Sequence, residues 1–488
     1  MKRPFLSSLW LPLLSGVLLL LATPYGGSWP VAAFALVPFF VHFATLRTKR
    51  QIVLSSILMA ALYCYGEGEA LYHLAGTWWV GSSPFSTMLI SVTYALGISA
   101  IIIAAAFSYV IPMLLVRRLT RTSVPQPFVV ALIIMLIEFV RSVVFYAGYS
   151  WGVMGYLLID VTAVKHMASV VGVYGLTFIF IFWNVWVANL ITRFLAIGGP
   201  LVLRLREVLF SKLHVIETVT VTTVVVGVLL FGLYRESVLS QARLHMRVAV
   251  ISSVVSTNES INEASYVMYR ALLLKALGSN PNLILTPENV FPYFIIDEED
   301  NILAAHQLVY LQNAGPLWED FLSLTQEYPK TIFALAAHTT VGEKNYNSIV
   351  LYQRGQILSI YHKRKPIPFT EFAPLGLHMK IFETISSGAD VQDFRMGDLA
   401  LGGYLCSEVG INPLSAHGAK LILSPSNDTV LVGSTILLLQ HQFARMHALE
   451  SGAFLLRSTK GGISSIIDPA GNVIQSLSGQ NDVMIADI

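Results

Sequence analysis

The chain has 488 residues, is 55% hydrophobic and only 12% charged, and carries a formal net charge of +2. An ordinary globular domain is about 25% charged, so the deficit points to segments held in a bilayer, where free charge is costly. No long basic run suggests a nucleic-acid partner, and two cysteines, Cys64 and Cys406, make no disulfide framework.

Apolar runs poor in charge predict seven membrane spans near 6–22, 30–46, 52–74, 87–115, 127–147, 168–193 and 216–234. Lys2 and Arg3 ahead of the first run resemble a signal-peptide start, but further spans follow at once, so a retained helix is expected. Basic residues cluster in every second loop: Lys2 and Arg3, then Arg47, Lys49 and Arg50, then Arg117, Arg118 and Arg121, then Arg193, Arg204, Arg206 and Lys212. Those loops are read as cytoplasmic, and the loop with Trp78 and Trp79 as external. Seven spans then leave the C-terminal half outside the cytoplasm; an eighth would reverse it. Glu138 and Arg141, three apart within a span, share a helix face and are read as a structural pair. Glu67, Glu69 and His73 are read as interfacial.

Near residue 236 the texture changes. Strand-length apolar runs at 247–251, 282–285, 331–336, 348–352 and 421–424 alternate with helical segments at 263–277 and 437–451, and Arg354-Gly355 marks a hairpin turn. This predicts a helical membrane domain over 1–236 and one layered α/β domain over 237–488.

Three patterns on or after predicted strands can carry chemistry. Leu283-Ile284-Leu285-Thr286-Pro287-Glu288 puts a carboxylate at a strand's C-terminal end. Alone, it reads more readily as a solvated glutamate at a loop start. Tyr361-His362-Lys363-Arg364-Lys365 leads into a proline-rich exit with Glu371 nearby; alone, it reads as a solvated or lipid-facing basic run. Gly402-Gly403-Tyr404-Leu405-Cys406-Ser407-Glu408 ends a strand in a thiol. A cysteine so placed is more often a small buried hydrophobe than a nucleophile, yet a lone thiol in an oxidising compartment is a risk that a catalytic need would explain.

The order and spacing of the three are more telling. Glu288, Lys363 75 residues on and Cys406 43 beyond that resemble the Glu-Lys-Cys triad of the nitrilase superfamily. Asn345-Tyr346-Asn347-Ser348, Ser424-Pro425-Ser426-Asn427-Asp428, Arg445-Met446-His447-Ala448-Leu449-Glu450 and Asp468-Pro469-Ala470-Gly471 resemble further motifs of that superfamily. Within the bundle, Glu138-Phe139-Val140-Arg141 and Val171-Gly172-Val173-Tyr174-Gly175-Leu176-Thr177-Phe178 resemble the membrane-bound branch, the apolipoprotein N-acyltransferase family.

The resemblance implies a multi-span α-helical bundle with a nitrilase-like α-β-β-α sandwich behind it. Cys406 would be the nucleophile, Glu288 the general base and Lys363 the oxyanion stabiliser, with Glu371 and Glu408 in support. The implied reaction takes an acyl chain from a membrane phospholipid onto Cys406 as a thioester, then passes it to the α-amine of a lipoprotein's diacylglyceryl-cysteine. No metal, cofactor or soluble acyl donor is implied. The expected setting is a bacterial inner membrane, with a monomeric enzyme whose catalytic domain faces the periplasm.

The pattern is broken at Ser407, where the family usually has an aromatic, along 429–434, which lacks the usual aromatics, and at Lys460, where a small or amide residue is usual. The family also usually adds a span after the enzyme domain, whereas this sequence stops after a strand-like 483–488. These departures bear on substrate choice. The alternative readings are a membrane-tethered amidase or lipid hydrolase with water as acceptor, and a non-enzymatic scaffold carrying a relic triad.

Overall fold

The computed structural model describes residues 8–488 apart from 25, 78–98, 100–108, 120–125, 146–147, 198–199, 203–205, 208–214, 255–262, 291–292, 297–301, 307–313, 368–370, 372–384, 413–415 and 417. The chain divides into two compact units: Met1–Ser237 with Gly433–Gln442, and Val238–Val432 with Phe443–Ile488.

The first unit is helical: α1 (Trp10–Ala22), α2 (Val37–Phe43), α3 (Lys49–Thr77), α4 (Pro127–Val140), α5 (Ala168–Ala196) and α6 (Val215–Leu239). Among the described residues, Pro127–Val144, Ala168–Ala196 and Val215–Leu239 are long and apolar enough to cross a bilayer, and they fall on the last three expected spans. Ile216, Val219, Leu230 and Leu233 on α6 are exposed. In water they would form a large bare apolar patch, whereas lipid solvates them. The first two expected spans coincide with shorter apolar helices, and the third with α3. Most of the fourth, with Trp78, Trp79, Arg121, Arg204 and Lys212, lies outside the described residues, as do the side chains of Glu67, Glu69 and His73.

Glu138, at 1% exposure, is tied to a neighbouring turn. Its carboxylate accepts from Tyr109 (3.2 Å), Thr177 Oγ1 (2.7 Å) and the Met154 N–H (3.2 Å). Arg141 donates to the carbonyls of Trp151 (3.2 Å) and Gly152 (2.8 Å). The two residues therefore clamp the Trp151–Met154 turn from one helix face. Thr177 comes from the second bundle motif, so the two motifs meet at one buried carboxylate. Within that motif Gly172 has φ 66°, a kink in α5 that a side chain would resist.

The second unit has two sheets. The strands are β1 (Arg247–Ser252), β2 (Leu283–Glu288), β3 (Tyr293–Ile296), β4 (Ile302–His306), β5 (Ile332–Val341), β6 (Lys344–Gln353), β7 (Gln356–His362), β8 (Arg395–Met396), β9 (Leu399–Gly403), β10 (Leu421–Asn427), β11 (Phe454–Lys460), β12 (Ile463–Ile467), β13 (Val473–Ser478) and β14 (Asp482–Asp487). One sheet runs β14-β1-β2-β5-β3-β4, with β6 and β7 added beside β5; the other runs β13-β12-β11-β10-β9-β8. The helices are α7 (Glu263–Leu277), α8 (Ala314–Glu327) and, from Phe443 on, α9 (Ile436–Ser451).

Strand alternation builds two cores. Val248 and Val250 of β1 join Leu283 and Leu285 of β2 with Leu421, Leu423 and Leu456 of the other sheet. The opposite faces, Ala249, Ile251 and Ile284, pack on Leu272 and Leu273 of α7 and Phe321 of α8. Strands buried on both faces explain their near-continuous apolar sequence. The Phe443–Ser451 part of α9 buries Ala444, Met446, Ala448 and Leu449, and His447 stacks on Tyr404 at 4.2 Å, completing an α-β-β-α sandwich. The expected turn at Arg354-Gly355 closes β6 onto β7 with both residues at positive φ (52° and 86°), as a tight hairpin requires.

Candidate active site

The three candidate residues leave the C-terminal ends of different strands. Glu288 ends β2, Lys363 directly follows β7, and Cys406 lies just past β9, opening the turn Cys406–Gly410. Strands of two sheets ending side by side can gather such distant positions. Cys406 has φ 54°, a left-handed conformation costly for a residue with a Cβ and common where function demands a fixed side-chain direction. The residue is half-buried, and the charges of Glu288, Lys363, Asp428 and Glu371 all act on its thiol.

Glu288 is 3% exposed. Oε1 accepts from Asn347 Nδ2 at 2.7 Å and Oε2 from the Asn427 N–H at 2.7 Å. Burial pushes its carboxyl above the usual glutamate range, against the opposing pull of Lys363, Asn347 and Asn427. A base with a raised pKa is better matched to a thiol proton near neutral pH.

Lys363 is fully buried and gives two hydrogen bonds to Glu371, at 2.8 Å to each carboxylate oxygen. Burial alone would lower its pKa. The neighbouring Cys406, Glu371 and Glu288 together outweigh burial and hold the ammonium above the usual lysine range. Its backbone is fixed as well: Lys363 N–H donates to the Asn347 carbonyl and its own carbonyl accepts from Gly388, both at 2.8 Å. Asn347 thus holds Glu288 through its side chain and Lys363 through its main chain.

Burial also raises the Cys406 thiol, and Glu288 raises it further while Lys363 opposes. A thiol held this way favours its protonated form and would need its proton removed before it could attack.

Glu408 is fully buried and accepts four hydrogen bonds: from Leu405 N–H (2.9 Å), Arg364 N–H (2.7 Å), Lys365 N–H (3.1 Å) and Tyr361 Oη (2.9 Å). It joins the lysine segment to the cysteine turn. Gly403 makes this possible, because a Cβ there would lie 2.5 Å from the Tyr361 ring. Beside Asn427, Asp428 pairs with fully buried Arg457 at 2.9 Å and its N–H donates to the Lys460 carbonyl.

The sequence singled out Glu288, Lys363, Cys406, Glu371 and Glu408, and all five converge here. It gave no role to Asn347, Tyr361, the Asn427 N–H or the Asp428–Arg457 pair. Asn347, Asn427 and Asp428 stood in noted motifs. Tyr361 headed the lysine pattern without a role of its own, and Arg457 carried no signal beyond a cation on an otherwise apolar strand. Among the described residues no cluster of His, Cys, Asp and Glu could hold a metal ion.

Two family models match the chain. The apolipoprotein N-acyltransferase N-terminal domain matches residues 15–186 and the carbon-nitrogen hydrolase model residues 253–488. The relatives include an apolipoprotein N-acyltransferase of Aquifex aeolicus, 25% identical over 70% of this chain and 71% of that one. Another, from Azotobacter vinelandii, is 27% identical over 96% of this chain and 86% of its own length. A third, from Allorhizobium ampelinum, is 26% identical over 83% and 75%.

Proposed function

Because the chain belongs to the apolipoprotein N-acyltransferase family and is an acyltransferase, we propose that it moves an acyl chain from a membrane phospholipid to the α-amine of a lipoprotein's diacylglyceryl-cysteine through a Cys406 thioester. Cys406 is the nucleophile, Glu288 the general base and Lys363 the oxyanion stabiliser. The observation that carries this reading is the half-buried, left-handed Cys406 whose thiol lies within the fields of both Glu288 and Lys363.

In the first half-reaction Glu288 takes the thiol proton as Sγ attacks the ester carbonyl. The carbonyl electron pair moves onto oxygen, beside the Lys363 ammonium, a fixed charge worth about 3 kcal/mol of barrier. Collapse breaks the ester C–O bond, and the lysophospholipid alkoxide leaves with the proton from Glu288. In the second half-reaction the lipoprotein amine attacks the thioester, Glu288 takes a proton from the amine nitrogen, and the Cys406 thiolate leaves and recovers that proton. The balance is closed with no cofactor.

Glu371 and Glu408 act through their neighbours: the first keeps Lys363 charged, the second holds the Cys406 turn against the lysine segment. Both substrates are bilayer lipids, which accounts for a membrane domain over 1–236 coupled to a catalytic domain over 237–488. The basic-loop pattern supports a catalytic domain on the periplasmic side of a bacterial inner membrane, and the same reading makes the enzyme a monomer.

The test is mass spectrometry of purified protein with phospholipid and a diacylated lipopeptide. The expected result is one acyl chain on Cys406, then one on the lipopeptide, with both lost in a folded Cys406→Ala variant. Transfer at the wild-type rate by Cys406→Ala overturns the assignment. Release of fatty acid with no gain on the lipopeptide makes water the acceptor and the enzyme a lipid hydrolase.

A further inference from the structure

Ser407 follows the nucleophile in the Cys406–Gly410 turn, and nothing in the mechanism above uses it. Its Oγ is buried and has no hydrogen-bond partner. The carboxylates of the site are engaged elsewhere. Glu408 accepts four donors, Glu371 takes two from Lys363, and Glu288 accepts from Asn347 and Asn427. A buried hydroxyl without a partner is a standing penalty that a bound group can relieve.

The chemistry of Lys363 says which group. An ammonium has three N–H donors, and two of them go to Glu371. One donor remains for the acyl oxygen. A tetrahedral oxyanion in a dry site is best held by two or more donors. Among the described residues, the unpartnered side-chain oxygens of Asn347 and of Asn289, which follows Glu288, are acceptors and cannot serve. A serine hydroxyl is a rotatable donor, and this one is carried by the residue next to the attacking sulfur.

We propose that the Ser407 hydroxyl is a further catalytic donor, kept unpartnered in the resting enzyme to hydrogen-bond the acyl carbonyl oxygen as it becomes an oxyanion in both half-reactions. This rests on the Cys406 thioester reading. No bond to Ser407 forms or breaks; its proton stays on Oγ throughout. A donor used only as charge develops raises kcat and leaves KM nearly unchanged.

The experiment uses the full chain in phospholipid nanodiscs and compares wild type with Ser407→Ala and Ser407→Thr. Readouts are the rate of acyl-Cys406 formation, the rate of transfer from preformed acyl-enzyme to lipopeptide, and the melting temperature. Ser407→Ala is expected to slow both steps by about 100-fold in kcat, with a melting temperature equal to or above wild type, because an unsatisfied hydroxyl is removed. Ser407→Thr, which keeps a hydroxyl, is expected to recover at least ten-fold of the loss. Wild-type rates in Ser407→Ala overturn the proposal while leaving the thioester reading intact. So does a Ser407→Ala protein that melts lower or fails to fold, because the hydroxyl is then structural. A wild-type protein that never acylates Cys406 overturns both.

Discussion

Replacing Glu371 by Gln leaves a charged lysine stranded in the site. Lys363 is fully buried, Glu371 is 15% exposed, and both contacts are 2.8 Å. At that separation, and with an effective dielectric near 20, the attraction is about 6 kcal/mol before desolvation is counted. Losing one partner of a buried pair costs about 3–5 kcal/mol net, because the other charge stays behind unpaired. For a domain of this size that lowers the melting temperature by about 10 °C. Lys363→Met strands the carboxylate instead and is expected to cost somewhat less, since Glu371 reaches water. The double variant, Lys363→Met with Glu371→Gln, removes both members of the pair and should recover much of the lost stability, less what Glu288 loses with the Lys363 charge, while acyl-Cys406 formation is lost in all three. The assay is thermal unfolding of the four proteins in one detergent, with acylation followed by mass. A double variant whose loss equals the sum of the two singles would refute the reasoning, because it would mean that the two groups do not stabilise each other.

Burial raises the Glu288 carboxyl, so acyl-Cys406 formation should fade at a higher pH than an ordinary glutamate would set, and Asn347→Leu, which removes a donor to the carboxylate, should move that limb higher still in a pH–rate profile. The same raised pKa has a stability sign. Its contribution is present below the unfolded-state pKa and is lost as pH rises through the folded one, so Glu288→Gln should gain stability relative to wild type between acid and neutral pH, read as the difference in melting temperature. Gly403→Ala drives a methyl into the Tyr361 ring and should cost about 1–3 kcal/mol while slowing acylation, since Tyr361 is displaced from Glu408. In the bundle, Glu138→Leu leaves Thr177 and the Met154 N–H without their acceptor; it should lower the melting temperature by several degrees, whereas Phe139→Leu, at an exposed neighbouring position, should not.

The chemistry-bearing residues were legible because strand ends are punctuated. Glu288 comes behind a proline, Lys363 opens a proline-rich exit, and Cys406 follows two glycines. The core strands were legible for a different reason: sandwiched between a helix layer and a second sheet, they carry apolar residues on both faces. What the sequence left blank was the support around the triad. Asn347 looked like one polar residue on a strand, and its two duties arise only because β6 lies beside β7 and across from the end of β2. Glu138 and Arg141 act on each other's charge as expected, and together they also hold a turn 10–16 residues on, a contact made after α4 and α5 pack.

Cys406 shows where the division falls. Residue order alone gave its type, its distance from Lys363 and Glu288, and the apolar strand that delivers it, because hydrophobic periodicity and local turn chemistry are written along the chain. The left-handed backbone, the four hydrogen bonds on Glu408 that fasten its turn, the charge balance that keeps Lys363 protonated and the unpartnered Ser407 hydroxyl are tertiary facts. Each depends on groups far apart in sequence being brought out of water together, and the energy of a buried charge or an unmade hydrogen bond is set by what surrounds it.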